Sequence, residues 1–334
     1  MNDMNILRII VLGIIFLFSL FVFKANVPQM ASGPVSPYKI FSNESASAIG
    51  SLEIIPTSEK KAPEAKTFMS PNLDAKSVYI FDLKENEVIY EKDARIPRPL
   101  ASLTKLMTAL LAEEKIPEGL YVPVSINAIR EDGNDGFAAG DKFKKEDLID
   151  FMLVKSSNDA AYALAEFIGD GLAGSEGTSA SKFAALMNDR ARELGMLNTS
   201  FLNSNGLDIE VDKNSKISGV TGSAYDIALL MQYIYNQNPS LLSKTRNSEI
   251  KIISSGGRII KGENTNSALD TIPQLLASKT GFTELAGGNL VYIFDAGFEH
   301  PILVSLLGSS EQGRFSDAAK IADAVLNYFI SNEQ

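Results

Sequence analysis

The sequence predicts an α+β fold in which one antiparallel sheet, built from both ends of the folded region, is flanked by helices beside a helical subdomain. Three observations carry that expectation. Alternating strand patterns occupy residues 76–93 and return over 272–308, and the segments between them, about 100–270, repeat apolar residues at i, i+3 and i+4. Three of the strands also follow one another through short turns, which parallel β-α-β units do not allow. A pocket is expected where sheet and helical insertion meet.

Taken in chain order, residues 9–23, IIVLGIIFLFSLFVF, hold no charge, and with Ile6, Leu7 and the residues to Val27 they reach the ~20 residues a bilayer requires. The following KANVPQMASG offers a poor small-x-small cleavage site, so residues 1–27 read as an uncleaved membrane anchor. A cleaved secretory signal is the alternative. Arg8 against Lys24 is too small a charge difference to orient the span. Five prolines and seven serines between residues 25 and 67, without apolar periodicity, make 28–67 a flexible linker.

The folded domain, 68–330, opens with SVYIFDLKENEVIYEKDA, two alternating strands around a polar turn at Lys84 to Glu87. KEDLIDFMLVKSSNDAAYALAEFI, SASKFAALMNDRARELGM and SAYDIALLMQYIYNQ then carry helical spacing. LLASKTGFT, NLVYIFDA and PILVSLLG return to strand, and DAAKIADAVLNYFI closes the domain as an amphipathic helix. Its pattern ends at Ile330, so any membrane attachment is expected from residues 6–27.

Composition limits the chemistry. A net charge of −10 argues against generic binding to nucleic acid or anionic lipid. The absence of cysteine excludes disulfides, thiol nucleophiles and thiolate metal sites. The one histidine, His300 in DAGFEHPILV, reads as a solvated turn residue, so no multi-histidine metal site is available and a serine nucleophile needs another base. No metal and no cofactor are expected.

Three places carry candidate chemistry. In PLASLTKLMTALLAEEK, residues 99–115, Pro99 suits the first turn of a helix whose apolar stripe is Leu103, Leu106, Met107, Leu110 and Leu111. The opposite side is small, not charged, so the helix is covered on both sides, with Ser102 and Lys105 one turn apart. A lysine in an apolar setting loses its preference for the charged form and can take a proton from the hydroxyl beside it. Free backbone N–H groups at the helix start can hold a developing oxyanion. The bland alternative is a snorkelling lysine and a space-filling serine. The second place is SSND, 156–159, where Ser156 can relay a proton and Asn158 can orient an amide, or where the cluster simply caps a helix. The third is SKTG, 278–281: Lys279 and Thr280 supply a cation and a hydroxyl, and Gly281 leaves room for a ligand backbone along the strand, or the segment is an edge protected by its lysine.

Together, Ser-x-x-Lys, Ser-x-Asn and Lys-Thr-Gly resemble the set found in penicillin-recognising serine enzymes. ASLTKLMTALLA, VKSSNDAAYALAE, ELGMLNTSFLNSNGLD and ASKTGFTELAGGNLV are similar to the low-molecular-mass D-alanyl-D-alanine carboxypeptidases of the serine peptidase type, over about residues 68–330. The resemblance implies the β-lactamase/transpeptidase-like fold, with Ser102 as acylated nucleophile, Lys105 as general base, and Ser156 and Lys279 completing the proton network. It implies that Asn158 holds the substrate's peptide group, that the amides of Ser102 and Phe282 form the oxyanion hole, and that Thr280 and Arg314 grip the terminal carboxylate. An arginine shortly after a buried strand suits such a clamp, although an exposed loop arginine is an equal reading.

The activity so implied is trimming of peptidoglycan stem peptides ending in D-Ala-D-Ala, with β-lactams as covalent inhibitors. The catalytic domain is then expected on the outer side of a bacterial cell membrane, or secreted if the signal is cleaved. A D,D-endopeptidase acting on cross-linked peptidoglycan fits equally well by sequence. A class A-like β-lactamase needs Glu-x-x-Leu-Asn, and ELGMLN, Glu193 to Asn198, is one residue too long. A non-catalytic wall-binding module is expected to have lost Ser102 or Lys105, and both are present.

Overall fold

Strand β1 (Ser77–Asp82) and strand β2 (Glu87–Lys92) form a hairpin, closed because Asp82 Oδ1 accepts the backbone N–H groups of Lys84 at 2.9 Å and Glu85 at 3.0 Å. The chain returns to the same sheet as β3 (Leu275–Thr283), β4 (Gly287–Asp295) and β5 (Pro301–Ser309). The order across the sheet is β3-β4-β5-β1-β2, every pair antiparallel, with Ser77 opposite Leu307 and Asp82 opposite Ile302. This computed structural model describes residues 68–172 and 176–331, all within one unit, Pro63–Gln334.

Period-two alternation divides each central strand between two cores. Val78, Ile80, Leu290, Tyr292, Phe294, Ile302, Val304 and Leu306 face one core with Ala318, Ile321, Ala322 and Val325 of the C-terminal helix, Gly313–Ile330. Tyr79, Val291, Ile293, Leu303 and Leu307 face the other, which continues into the helical part. That part contains α1 (Lys105–Lys115), α2 (Lys145–Val154), α3 (Asn158–Gly171), α4 (Ser179–Glu193) and α5 (Ala224–Gln237), so the closing helix is α6. Asp317 of α6 is fully buried and accepts the N–H groups of Asp74 and Ala75 and the Ser309 hydroxyl, which fastens the start of the domain to the sheet.

Two expectations need correction. The insertion is less helical than its periodicity suggests: Glu249–Ile253 pairs with Ile259–Glu263, and short strands join Arg98–Pro99, Ser200–Phe201 and Val220–Gly222. EIKIISSGGRIIKGE does alternate about a Ser-Ser-Gly-Gly turn, a strand signal inside a region read as helix. Pro99 does not start a helix, because it is paired in a strand, and the α-helix begins six residues later at Lys105. The anchor or signal over 1–27 and the linker over 28–67 lie outside the described residues. Among the described residues no helix is long and apolar enough to cross a membrane.

Candidate active site

The serine is presented by a clamped turn. Leu100 donates its N–H to the Val220 carbonyl, Ala101 takes a left-handed φ of 49°, and a single 3-10 turn, Ala101–Thr104, runs into α1. A non-glycine residue in that region stores strain, which the surroundings must hold. They do so from three sides. Asn289 of β4 donates Nδ2 to the carbonyls of Pro99 and Leu100 at 3.0 and 3.1 Å. Thr104 Oγ1 donates to the Ala101 carbonyl at 2.6 Å. Gly281 of β3 packs so closely that a Cβ there would stand 2.8 Å from the Leu100 carbonyl and 3.3 Å from the Ser102 nitrogen. The room left by Gly281 is therefore taken by the serine turn and not, as the sequence suggested, kept for a ligand backbone.

Lys105, the first residue of α1, is completely buried. Its Nζ lies 2.8 Å from each of three oxygens: Ser102 Oγ, Asn158 Oδ1 and the Asn205 carbonyl. Burial lowers its pKa from 10.5 to about 7, against smaller opposing effects of Asp135 and Glu131. A neutral amine has two N–H bonds and one lone pair. The Asn205 carbonyl can only accept, and so can Asn158 Oδ1, whose amide is oriented because Nδ2 donates to the Asp132 carbonyl at 2.6 Å. The two N–H bonds are thereby assigned, and the lone pair faces the one neighbour able to donate, the Ser102 hydroxyl. An amine so placed is able to accept the hydroxyl's proton, the arrangement that activation of a serine requires.

The SSND segment caps a helix and also brings Ser156 and Asn158 to the two buried lysines. Ser157 caps α3, accepting the Ala160 N–H at 3.1 Å. Ser156 takes φ 62° and stands 2.8 Å from Lys279 Nζ, which also donates to the Thr280 carbonyl at 2.9 Å. Lys279 is buried too, and its pKa is pushed well down by burial and then by the like charges of Lys105 and Arg314. The site thus holds two lysines, each within hydrogen-bond reach of a serine hydroxyl, and Lys105 also bonds Asn158, two residues after Ser156. Asn158 spends both ends of its amide on protein groups, Lys105 and Asp132.

On the strand side, Phe282 is half exposed and borders a groove of about 600 Å³ lined also by Thr283, Asp132, Leu207 and Asp208. Thr280 is buried, its hydroxyl 2.5 Å from that of Thr265. Arg314, the second residue of α6, is buried and donates Nη1 to the Gly281 carbonyl at 2.8 Å, with its guanidinium over the Phe315 ring. The exposed loop arginine is thereby excluded. Ser102, Lys105, Ser156, Asn158, Lys279, Thr280, Gly281, Phe282 and Arg314 thus lie on the serine turn and the start of α1 that follows it, the turn into α3 and its first residue, strand β3 and the start of α6, which meet at one place.

Glu193 ends α4 as a largely exposed residue paired with Arg190 at 2.8 Å, so it is not held as a buried base. His300 keeps to its turn, with Nε2 2.6 Å from Asp82 Oδ2, and is more covered than a solvated residue. Asn205, Glu131, Asp132 and Asn289 belong to the site without having been singled out in the sequence. The polar cluster NSNG, residues 203–206, was the available signal for Asn205, since two asparagines so close together beside apolar runs need partners.

A family model described as Peptidase S11, D-alanyl-D-alanine carboxypeptidase, matches residues 64–307. The D-alanyl-D-alanine carboxypeptidase DacA of Escherichia coli (strain K12) is 28% identical over 275 residues, 78% of this chain, which spans 62% of that relative's length. A D-alanyl-D-alanine endopeptidase of Haemophilus influenzae is 30% identical over 232 residues, 66% of this chain and 70% of that protein. Penicillin-Binding Protein D2 from Listeria monocytogenes, solved in an ampicillin-bound form, aligns with a TM-score of 0.62 at 26% identity over 77% of this chain and 98% of that one. The architecture is the β-lactamase/transpeptidase-like α+β fold.

Proposed function

The chain belongs to the Peptidase S11 family of D-alanyl-D-alanine carboxypeptidases, and we propose on that premise that it removes the terminal D-alanine of peptidoglycan stem peptides through an acyl-enzyme on Ser102. The observation that carries this reading is the 2.8 Å contact between Lys105 Nζ and Ser102 Oγ, on a fully buried amine whose pKa burial lowers to about 7.

Lys105 takes the Ser102 proton as Oγ attacks the carbonyl between the two D-alanines. The N–H groups of Ser102 and Phe282 receive the oxyanion. As the intermediate collapses, the C–N bond breaks, and the leaving nitrogen takes a proton passed through Lys105 and the Ser156–Lys279 pair. D-alanine departs, and an ester remains on Ser102. Water then adds to the ester, its proton returns through Lys105, and the shortened peptide leaves. Thr280 and Arg314 supply the local cation and donor for the substrate's terminal carboxylate, which answers how a chain of net charge −10 receives an anionic peptide. A β-lactam follows the same first step and leaves a long-lived ester, because its leaving group stays attached.

The Haemophilus relative named as an endopeptidase favours a second substrate, the D-alanyl bond of a cross-link, for the same chemistry. We place the domain on the outer side of the cell membrane, held by residues 6–27. The test uses the full chain with a fluorescent penicillin and then a pentapeptide ending in D-Ala-D-Ala. Labelling that Ser102→Ala abolishes, with D-alanine released, is the expected result. Cross-linked muropeptides cleaved without free D-alanine shift the assignment to endopeptidase, and labelling that survives Ser102→Ala overturns it.

A further inference from the structure

Two neighbouring residues that the proposed reaction does not use, Glu131 and Asp132, reach both groups that hold Lys105. The backbone carbonyl of Asp132 fixes Asn158 by accepting from its Nδ2 at 2.6 Å. Glu131 fixes the Asn205 side chain with its carboxylate, Oε2 accepting from Asn205 Nδ2 at 2.6 Å, while Asn205 Oδ1 receives the Leu207 N–H at 3.0 Å. The dipeptide therefore holds the side chains of both residues that supply acceptors to Lys105, Asn158 through its amide oxygen and Asn205 through its backbone carbonyl.

We infer that Glu131 is a positioning residue for the acyl transfer: through Asn205 it keeps the Lys105 lone pair on Ser102, and its negative charge sets the pH range over which that amine can act. The inference rests on the acyl-transfer reading above.

The charges around the amine support it. Glu131 and Asp135, from the segment that follows the short helical turn Ala128–Arg130, face Lys105 and favour its charged form. Lys279 of β3 carries the opposing sign, with Arg314 of α6 behind it. Asp132 lies against Glu131, and Asp159 of α3 faces both Asp135 and Glu131. Asp159 is buried, and its Oδ1 has no hydrogen-bond partner. Burial, then the charges of Asp135 and Glu131, push its carboxyl up to about 7, so this acidic group gains a proton in the range where Lys105 does. Burial raises Glu131 as well, with the Asn205 bond and Lys105 acting against it.

The sign of the effect follows. Removing a negative charge near Lys105 makes the protonated amine less favourable, so its pKa falls and the base stays competent at lower pH. The loss of the hydrogen bond to Asn205 is a separate effect, and two substitutions divide them. Glu131→Gln keeps an acceptor for Asn205 but removes the charge, whereas Glu131→Ala removes both.

The experiment measures the second-order rate of acylation by a fluorescent penicillin between pH 5 and 9, on the full chain in mild detergent. Glu131→Gln should move the acid limb to lower pH by roughly 0.5–1 unit, as expected when a unit charge leaves the partly solvated surroundings of a buried amine. Glu131→Ala should show the same shift with a high-pH plateau lower by about tenfold, as lost positioning predicts, and glutamine should restore most of that plateau. Asp135→Asn, which carries no bond to Asn205, should shift the limb without lowering the plateau. Asp323→Asn, on the exposed side of α6, should change neither. An acid limb that stays in place in both Glu131→Gln and Asp135→Asn overturns the inference, as does a plateau that falls equally in the glutamine and alanine variants. An unsubstituted chain that is not acylated at any pH overturns the acyl-transfer reading itself.

Discussion

Adding one methyl group at Gly281 should disable the serine turn while leaving the fold in place. The backbone of Gly281 is in ordinary extended strand, so alanine is allowed conformationally and only crowding matters. Its Cβ would meet the Leu100 carbonyl at 2.8 Å, the Leu103 nitrogen at 3.2 Å and the Ser102 nitrogen at 3.3 Å. All three are backbone atoms, which cannot rotate away as a side-chain end can. For ordinary contact the Leu100 carbonyl must retreat by roughly 0.6 Å, and Ser102 moves with it. Overpacking of this kind costs about 1–3 kcal/mol, a drop of a few degrees in Tm. A displacement approaching 1 Å at the nucleophile lowers the acylation rate about 10- to 100-fold. Stopped-flow acylation by penicillin measures the rate, and a thermal melt measures the stability. Gly171→Ala is the control, because its Cβ meets nothing within 4 Å. Gly281→Ala acylating within about twofold of the unsubstituted chain, at an unchanged Tm, would refute the claim that this contact sets the position of Ser102.

The other substitutions separate roles that lie next to one another. Lys105→Arg should reduce acylation by about 10³-fold or more at every pH up to 9, because a guanidinium does not give up its proton; D-alanine release and penicillin labelling both report it. Ser156→Ala, which removes the partner of Lys279, should slow acylation by about 10²-fold with little change in Tm. Ser157→Ala, one residue on, should do the reverse, costing about 1 kcal/mol of stability from a lost helix cap while acylation changes much less. Asn289→Ala frees the Pro99 and Leu100 carbonyls and should lower both stability, by roughly 1–3 kcal/mol, and the acylation rate.

Much of this site was legible in the sequence because its chemistry uses residues that are costly where they stand. A lysine in a helix with no other charge before its last turn, a polar cluster in an apolar run and a lysine within a strand each break a local rule, and each proves to be part of one cluster. The five-stranded sheet was legible for the opposite reason, since its strands alternate cleanly and follow one another through short turns. What sequence pattern could not give was contact between distant segments. Nothing local in Asn205, Glu131 or Asn289 reveals a partner 100, 74 or 190 positions away. The 3-10 turn at Ala101–Thr104 was hidden too, because the left-handed φ at Ala101 is imposed by Asn289 and the neighbouring strands and not by alanine's own preference.

Direct titration of Lys105 tests the central claim. Lysine carrying ¹³C and ¹⁵N labels is incorporated throughout the full chain, the Lys105 signal is assigned by its loss in Lys105→Arg, and its chemical shift is followed against pH. A midpoint of about 7 is the result predicted by complete burial. A midpoint near 10.5, the value of a free lysine, in protein that still acylates would contradict the account, because the amine facing Ser102 would then have no lone pair to offer.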